Sequence, residues 1–249
     1  MIVLPTKPVP ASKSNPKRMV IYGQAKIGKS SVLAQLPNNL IIDTEGGTEY
    51  MDAMAVQART VEDLGQIAQM IREKNAEVGH NFYKYITIDT ATRLEEICLP
   101  WAAKIYKSTV DPTWNKTDVR DIGFGAGYRV LYDCIERILK LFEDLCDTFI
   151  ITCHTYEDVD GKSDAIQRTS LSLPKGVRKD VERFYDCIGY CYRKNKETHL
   201  SFVGGDAVTK GTRIDHLREQ DIIVAEWDEE NNKLVSHWDR IFKQTGKPE

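Results

Sequence analysis

The chain reads as an α/β protein: a mostly parallel twisted sheet flanked by helices, with antiparallel strands added at one edge. Three observations predict this. Short apolar runs such as Met19-Val20-Ile21-Tyr22 and Tyr85-Ile86-Thr87-Ile88-Asp89 alternate with stretches of helical character. A G-x-x-x-x-G-K-S loop, residues 23–30, joins the first such run to the first helix-like stretch. Two later runs flank the turn Lys194-Asn195-Lys196-Glu197, as the arms of a β-hairpin do.

Each element can be placed in turn. Residues 1–17 hold four prolines and the cations Lys7, Lys13 and Lys17 with no acid, and read as an extended arm whose Ile2-Val3-Leu4 would dock on a neighbouring subunit. The core spans 18–225. It opens with a strand at 18–22, a helix at 29–36 and a strand at 39–43. Thr60 with Asp63 forms a capping box for a helix over 61–78. A strand at 85–89, helices at 91–106 and 126–145, and a strand at 149–153 follow. A long polar loop runs from 155 to 175, and strands near 187–193 and 198–203 form the hairpin. In 226–249, the spacing of Leu234, Val235, Trp238, Ile241 and Phe242 predicts a C-terminal helical segment packed on the core.

Composition narrows the class. A length of 249 residues suits one decorated α/β domain. A net charge of −3 gives no global attraction for nucleic acid, so any such binding must come from local patches. The six cysteines lack C-x-x-C spacing and read as buried thiols of a reducing compartment, in preference to a zinc site at Cys187 and Cys191. No apolar run approaches the ~20 residues that span a bilayer, which predicts a cytoplasmic protein with no membrane partner.

The chemistry starts at the loop Gly23-Gln24-Ala25-Lys26-Ile27-Gly28-Lys29-Ser30 and continues into Ser31. Its glycines let backbone N–H groups face a phosphate. Lys29 would reach the β- and γ-phosphates, and Ser30 would hold Mg²⁺. Hydrolysis needs a further carboxylate near Mg²⁺ and a group to orient water. Asp89, ending an apolar strand, fits the first role. Thr90 stands where AAA+ proteins carry a catalytic glutamate, which points away from that group. In an open parallel sheet the carboxyl ends of neighbouring strands share one crevice. Glu45, after the strand at 39–43, is placed there to orient water. His154, ending the strand at 149–153, is placed to sense the γ-phosphate.

Ile42-Asp43-Thr44-Glu45 resembles the RecA-family segment bearing the catalytic glutamate. Ile86-Thr87-Ile88-Asp89-Thr90 resembles the RecA strand in which aspartate precedes a small hydroxyl residue. Ile150-Ile151-Thr152-Cys153-His154 resembles the strand that ends in the sensor glutamine, with histidine in its place. Together with the loop, these resemble phage-encoded RecA-core P-loop ATPases linked to single-strand annealing and recombination. The resemblance implies an ATPase using ATP and Mg²⁺ that assembles head to tail, as filament or ring, on single-stranded DNA, alongside a single-strand binding protein. It would work in a host cytoplasm. It implies that cations reach the site from the adjacent subunit, with Lys194 and Lys196, or Lys210 and Arg213, as candidates. DNA contacts would come from Lys162, Arg168, Lys175, Arg178 and Lys179 after His154, and from Trp114, Lys116 and Arg120 in the segment 107–129. Two other readings remain open on sequence: an ATP-gated, non-catalytic assembly or annealing factor, and a P-loop small-molecule kinase.

Overall fold

The computed structural model describes residues 13–159 and 166–244, with Leu4, Thr6, Lys7 and Ala11 ahead of them. Ile2, Val3 and Lys162 lie outside the described residues. The elements in chain order are β1 (Arg18–Tyr22), α1 (Lys29–Ala34), β2 (Asn39–Asp43), β3 (Ala55–Gln57), α2 (Val61–Val78), β4 (Tyr85–Asp89), α3 (Leu94–Thr109), α4 (Ala126–Glu143), β5 (Thr148–Cys153), β6 (Thr155–Val159), β7 (Ile166–Leu171), α5 (Lys175–Phe184), β8 (Cys187–Lys194), β9 (Glu197–Ser201), β10 (Gly211–Thr212), β11 (Asp221–Asp228) and β12 (Lys233–Ser236).

The main sheet runs β12-β11-β9-β8-β1-β5-β4-β2-β3, with β10 paired to β8. The strands from β8 to β3 are parallel, and β9, β10, β11 and β12 add antiparallel pairs beyond them. This is the predicted α/β architecture of a P-loop NTPase core. Strands β2, β4 and β5 are buried along their whole length, which is why they read as continuous apolar runs. Alternate residues enter two cores. Val20, Ile42, Ile88 and Ile151 pack beneath α2, α3, α4 and α5. Met19, Ile21, Ile41 and Ile150 face the other way, against Val32 and Leu33 of α1.

Helix α1 is too short to cover its face alone. The chain end completes that layer with Trp238, Ile241 and Phe242, all buried. The indole N–H of Trp238 donates to the Val32 carbonyl at 2.9 Å, and Phe242 stacks between Trp238 and Tyr85 with ring centroids 5.8 and 4.6 Å away. The tail is thereby tied to the helix that follows the glycine-rich loop.

The structure corrects two expectations. Leu234 and Val235 lie on strand β12, followed by a single 3₁₀ turn, Trp238–Arg240, and no C-terminal helix forms over them. The apolar residues still reach the core, but pairing with β11 through a turn capped by the Asp228 carboxylate overrides the helical spacing. The polar loop predicted at 155–175 is largely an antiparallel ribbon of β6 and β7, which leads through Pro174 into α5. Residues 15–17 of the predicted arm are held by the domain: Asn15 bonds to Lys243, the Pro16 carbonyl accepts from Thr148, and Lys17 Nζ donates to the Cys146 carbonyl at 2.6 Å.

Among the described residues no helix is long and apolar enough to cross a membrane. The Trp238 anchor is testable: Trp238→Phe should cost about 1–3 kcal/mol by leaving a buried carbonyl without its donor, read as a lower midpoint in urea unfolding.

Candidate functional site

The glycine-rich loop leaves the carboxyl end of β1 between β5 and β8. Its first glycine is required by packing. A Cβ on Gly23 would lie 2.3 Å from the Cys191 carbonyl oxygen of β8, while the Gly23 N–H donates to the Cys153 carbonyl of β5 at 3.3 Å. Gly28 turns the chain at φ 99°, a conformation that costs a side chain dearly. Gln24, Ala25 and Lys26 are exposed, and Ile27, Gly28, Ser30 and Ser31 are half-buried. Lys29 is buried and folds back over the loop, its Nζ donating to the carbonyls of Gly23 and Gln24 at 3.0 and 2.9 Å. Burial lowers its pKa, opposed in part by the charges of Asp89 and Glu45. The flanking thiols are inert: burial raises Cys153, and pushes Cys191 up to about 12.

Asp89 ends β4, two strands away from the loop, because β5 is inserted between β1 and β4. Its carboxylate nevertheless meets the loop. One oxygen accepts from the Ser30 hydroxyl and the other from the Thr152 hydroxyl of β5. The Asp89–Thr90 peptide is cis. Thr44 and Thr90 then lace the strand ends together. The Thr44 N–H donates to the Asp89 carbonyl at 2.9 Å, its hydroxyl donates to the Thr90 carbonyl and accepts from the Thr90 N–H, both at 2.9 Å, and the Thr90 hydroxyl donates to the Thr152 carbonyl at 2.8 Å. Ser30 and Asp89 together offer a hydroxyl and a carboxylate oxygen, the hard donors that Mg²⁺ takes when phosphates supply further ligands. Among the described residues no cluster of three or more His, Cys, Asp or Glu side chains could hold a metal; Mg²⁺ shared with a nucleotide needs no such cluster.

Glu45 is aimed by Asp43. The buried Asp43 carboxylate accepts from the N–H groups of Glu45, Gly46 and Thr48 at 2.9, 2.7 and 2.9 Å, and from the Thr48 hydroxyl at 2.6 Å. Burial alone would raise its pKa, but these hydrogen bonds outweigh it and hold the group below the usual carboxylate range. The turn carries Glu45 toward β5, where Glu45 Oε1 lies 3.2 Å from His154 Nε2. The two groups placed separately from sequence thus meet across the end of β4. The other ring nitrogen, Nδ1, is buried without a partner.

The predicted cations divide. Lys194 is exposed at the tip of β8, which continues four residues, about 13 Å, beyond Tyr190, the partner of Tyr22 at the end of β1. Lys196 in the same hairpin pairs with Glu229. Lys210 Nζ donates to the Ser201 hydroxyl at 3.1 Å. Arg213 lies at the opposite end of the sheet from the loop: its N–H donates to the Asp186 carbonyl at 2.9 Å, and the Asp186 carboxylate caps the start of β1. Within one protomer it does not reach the phosphate site.

Arg168 lies on β7 with its guanidinium on the Thr209 hydroxyl, and Lys175, Arg178 and Lys179 lie on α5 rather than on a loop. Arg178 stands over the exposed Tyr156 ring at 4.9 Å. Trp114 packs edge-on against Tyr106 at 5.4 Å and borders the core. Lys116 lies 3.9 Å from Asp121, and Arg120 is clamped by Asp118 and Glu95 at 2.6 and 3.2 Å. Trp114 and Arg120 are thus held by intramolecular partners, while Lys116 sits in an exposed ion pair. Sequence reasoning missed Thr44, Thr90, Thr152 and Asp43 as site residues. A signal existed: the same Asp-Thr pair ends both β2 and β4.

A family described as an AAA domain has a sequence model that matches residues 15–233, from the segment before β1 to the start of β12. No curated protein matches the chain. Thr90 in place of a glutamate therefore does not set the chain apart from AAA domains.

The Asp43 turn makes a pH-dependent prediction. A carboxylate held below its unfolded value near 4 stabilises the fold above that pH, and the contribution fades as pH falls through the lower folded value. Asp43→Asn should lower stability at pH 7 by about 1–3 kcal/mol and flatten the loss of stability between neutral and acid pH. Urea unfolding of both proteins across a pH series measures this.

Proposed function

The chain belongs to the AAA-domain family, and we propose that it is a Mg²⁺-dependent ATPase of the RecA-core type that assembles head to tail on single-stranded DNA in phage recombination or annealing. The observation that carries this reading is the meeting of Glu45 and His154 over the strand ends beside Asp89. It puts a water-orienting carboxylate on the strand neighbouring that of the Mg²⁺ aspartate, as the RecA resemblance implies.

In this mechanism Lys29 leaves the carbonyls of Gly23 and Gln24 and takes the phosphate charge in their place. Ser30 and Asp89 would hold Mg²⁺, which would supply charge neutralisation at the phosphates. Glu45 orients a water molecule toward the γ-phosphorus. The water oxygen forms the new P–O bond as the bond to the bridging oxygen breaks, ADP leaves with that electron pair, and the water protons pass to Glu45 and the released phosphate. Lys194, projecting past the end of β1 on its hairpin, is favoured to reach a neighbouring subunit's site. DNA would track the ribbon of β6 and β7 and the adjoining face of α5, where the Arg178–Tyr156 pair offers both a cation and a stacking surface.

Glu45→Gln should bind ATP as the wild type does while turning it over about a hundredfold or more slowly; Lys29→Ala should lose ATP binding. Fluorescent-nucleotide titration and phosphate release measure both, and wild-type turnover by Glu45→Gln would remove Glu45 from the mechanism. Electron microscopy with ATP and single-stranded DNA should show filaments or rings. Monomers under every condition would overturn the assembly.

A further inference from the structure

The glycine-rich loop leaves the carboxyl end of β1. A separate cavity lies at the other end, where Arg18 begins the strand, in the groove between α4 and α5. Leu139 of α4 and Val177 and Val181 of α5 give it apolar walls, and the exposed Phe184 borders it. Its volume is about 80 Å³, several times the ~15 Å³ that holds one water molecule.

The two ends of this groove are chemically different. At one end Tyr185 is only 7 % exposed, and among the described residues its hydroxyl has no hydrogen-bond partner. Arg18 Nε is buried in the same condition, and the guanidinium stands over the Tyr185 ring at 5.9 Å. Each such group costs about 1–3 kcal/mol while it stays unpaired. Both can donate, so an oxygen acceptor satisfies them. A neutral carbonyl suits this place better than an anion. Glu143 lies 3.7 Å from Arg18 Nη1, and burial raises its pKa despite that neighbour, so a further negative charge is unwelcome.

Glu136 stands two helical turns back along α4, about 10 Å away. Its carboxyl faces Asp180 of α5 across the groove. Burial and this carboxylate raise its pKa, and the exposed Lys140, 3.4 Å away, does not offset them. Two acids held together in this way are relieved by a cation placed between them. The groove therefore calls for an ammonium, an aliphatic stem and a carbonyl, in that order, over roughly the span of an extended lysine residue.

We propose that the groove between α4 and α5 binds a lysine residue of a partner peptide: its ammonium bridges Glu136 and Asp180, its stem lies on Leu139, Val177 and Val181, and its backbone carbonyl accepts from Tyr185 Oη and Arg18 Nε. This site does not depend on the ATPase reading. Its occupant braces α4 against α5, the helix into which the ribbon of β6 and β7 leads.

The probe is N-acetyl-lysine methylamide, titrated into the full chain and followed by NMR shifts of the backbone amides. The largest shifts should fall in residues 136–143 and 177–185. The norleucine analogue lacks the ammonium, butylamine lacks the carbonyl, and putrescine brings a second charge toward Arg18. Each should bind about five- to tenfold more weakly, the worth of one polar contact. Asp180→Asn should weaken the lysine probe by a similar factor and leave the norleucine analogue unchanged. Tyr185→Phe should weaken the lysine probe but not butylamine, and should not lower the urea midpoint, because its hydroxyl makes no bond in the free protein. Equal affinity for the lysine and norleucine probes, tighter binding of putrescine, or shifts confined to the glycine-rich loop would overturn the proposal. Unchanged lysine affinity in Tyr185→Phe would overturn it as well.

Discussion

The Asp89 carboxylate, shared between the hydroxyls of Ser30 and Thr152, is the interaction on which the rest of the site depends. It joins the loop after β1 to the ends of β4 and β5 in a buried setting, where an unpaired carboxylate would be costly and a fully partnered one is rigid. The lattice of Thr44 and Thr90 extends the same arrangement to β2. Four strand ends are thereby held together, so that side chains distant in sequence share one carboxyl edge. Every buried hydroxyl of this lattice has a partner, as a preorganised polar site requires.

Sheet order decides which residues take part. Inserting β5 between the loop strand and the Asp89 strand brings Thr152 and His154 into the crevice, and places Glu45 across β4 from the imidazole. It also places Cys153 and Cys191 on either side of the loop, where complete burial keeps the thiols protonated and lets the backbone carbonyls do the packing against Gly23. The ribbon of β6 and β7 begins one residue after His154. The chemistry of the crevice and the ribbon therefore share a covalent root.

The two faces of the sheet are covered unequally. Four helices bury one face, while α1 covers the other with help from a tail that closes over it through Trp238 and Phe242. The glycine-rich loop is followed by a short helix, and a hydrogen bond from Trp238 to Val32 steadies that helix from the far end of the chain. Stability of the phosphate loop is thus partly a property of residues more than two hundred positions away.

By itself the sequence determined the parallel core, the capping box at Thr60, the phosphate loop, and the placement of Asp89, Glu45 and His154 at strand ends. Those features are written in local periodicity, in cap chemistry and in the rule that parallel strands share a carboxyl edge. The ribbon was illegible because residues 155–159 expose both faces and lack the period-two alternation that betrays a half-buried strand. Strand β12 was read as helix because Trp238, Ile241 and Phe242 satisfy helical spacing with one 3₁₀ turn, and only pairing with β11 assigns Leu234 and Val235 to a sheet. Helix α5 had a signal in Val177 and Val181, four apart and both buried, that the surrounding charges masked. Tertiary structure alone decided that Glu45 and His154 touch, that Trp114 and Arg120 are held by intramolecular partners, and that Arg213 lies far from the loop. Hydrogen bonds and burial between segments dozens of residues apart depend on strand order and register, which no local pattern of residues encodes.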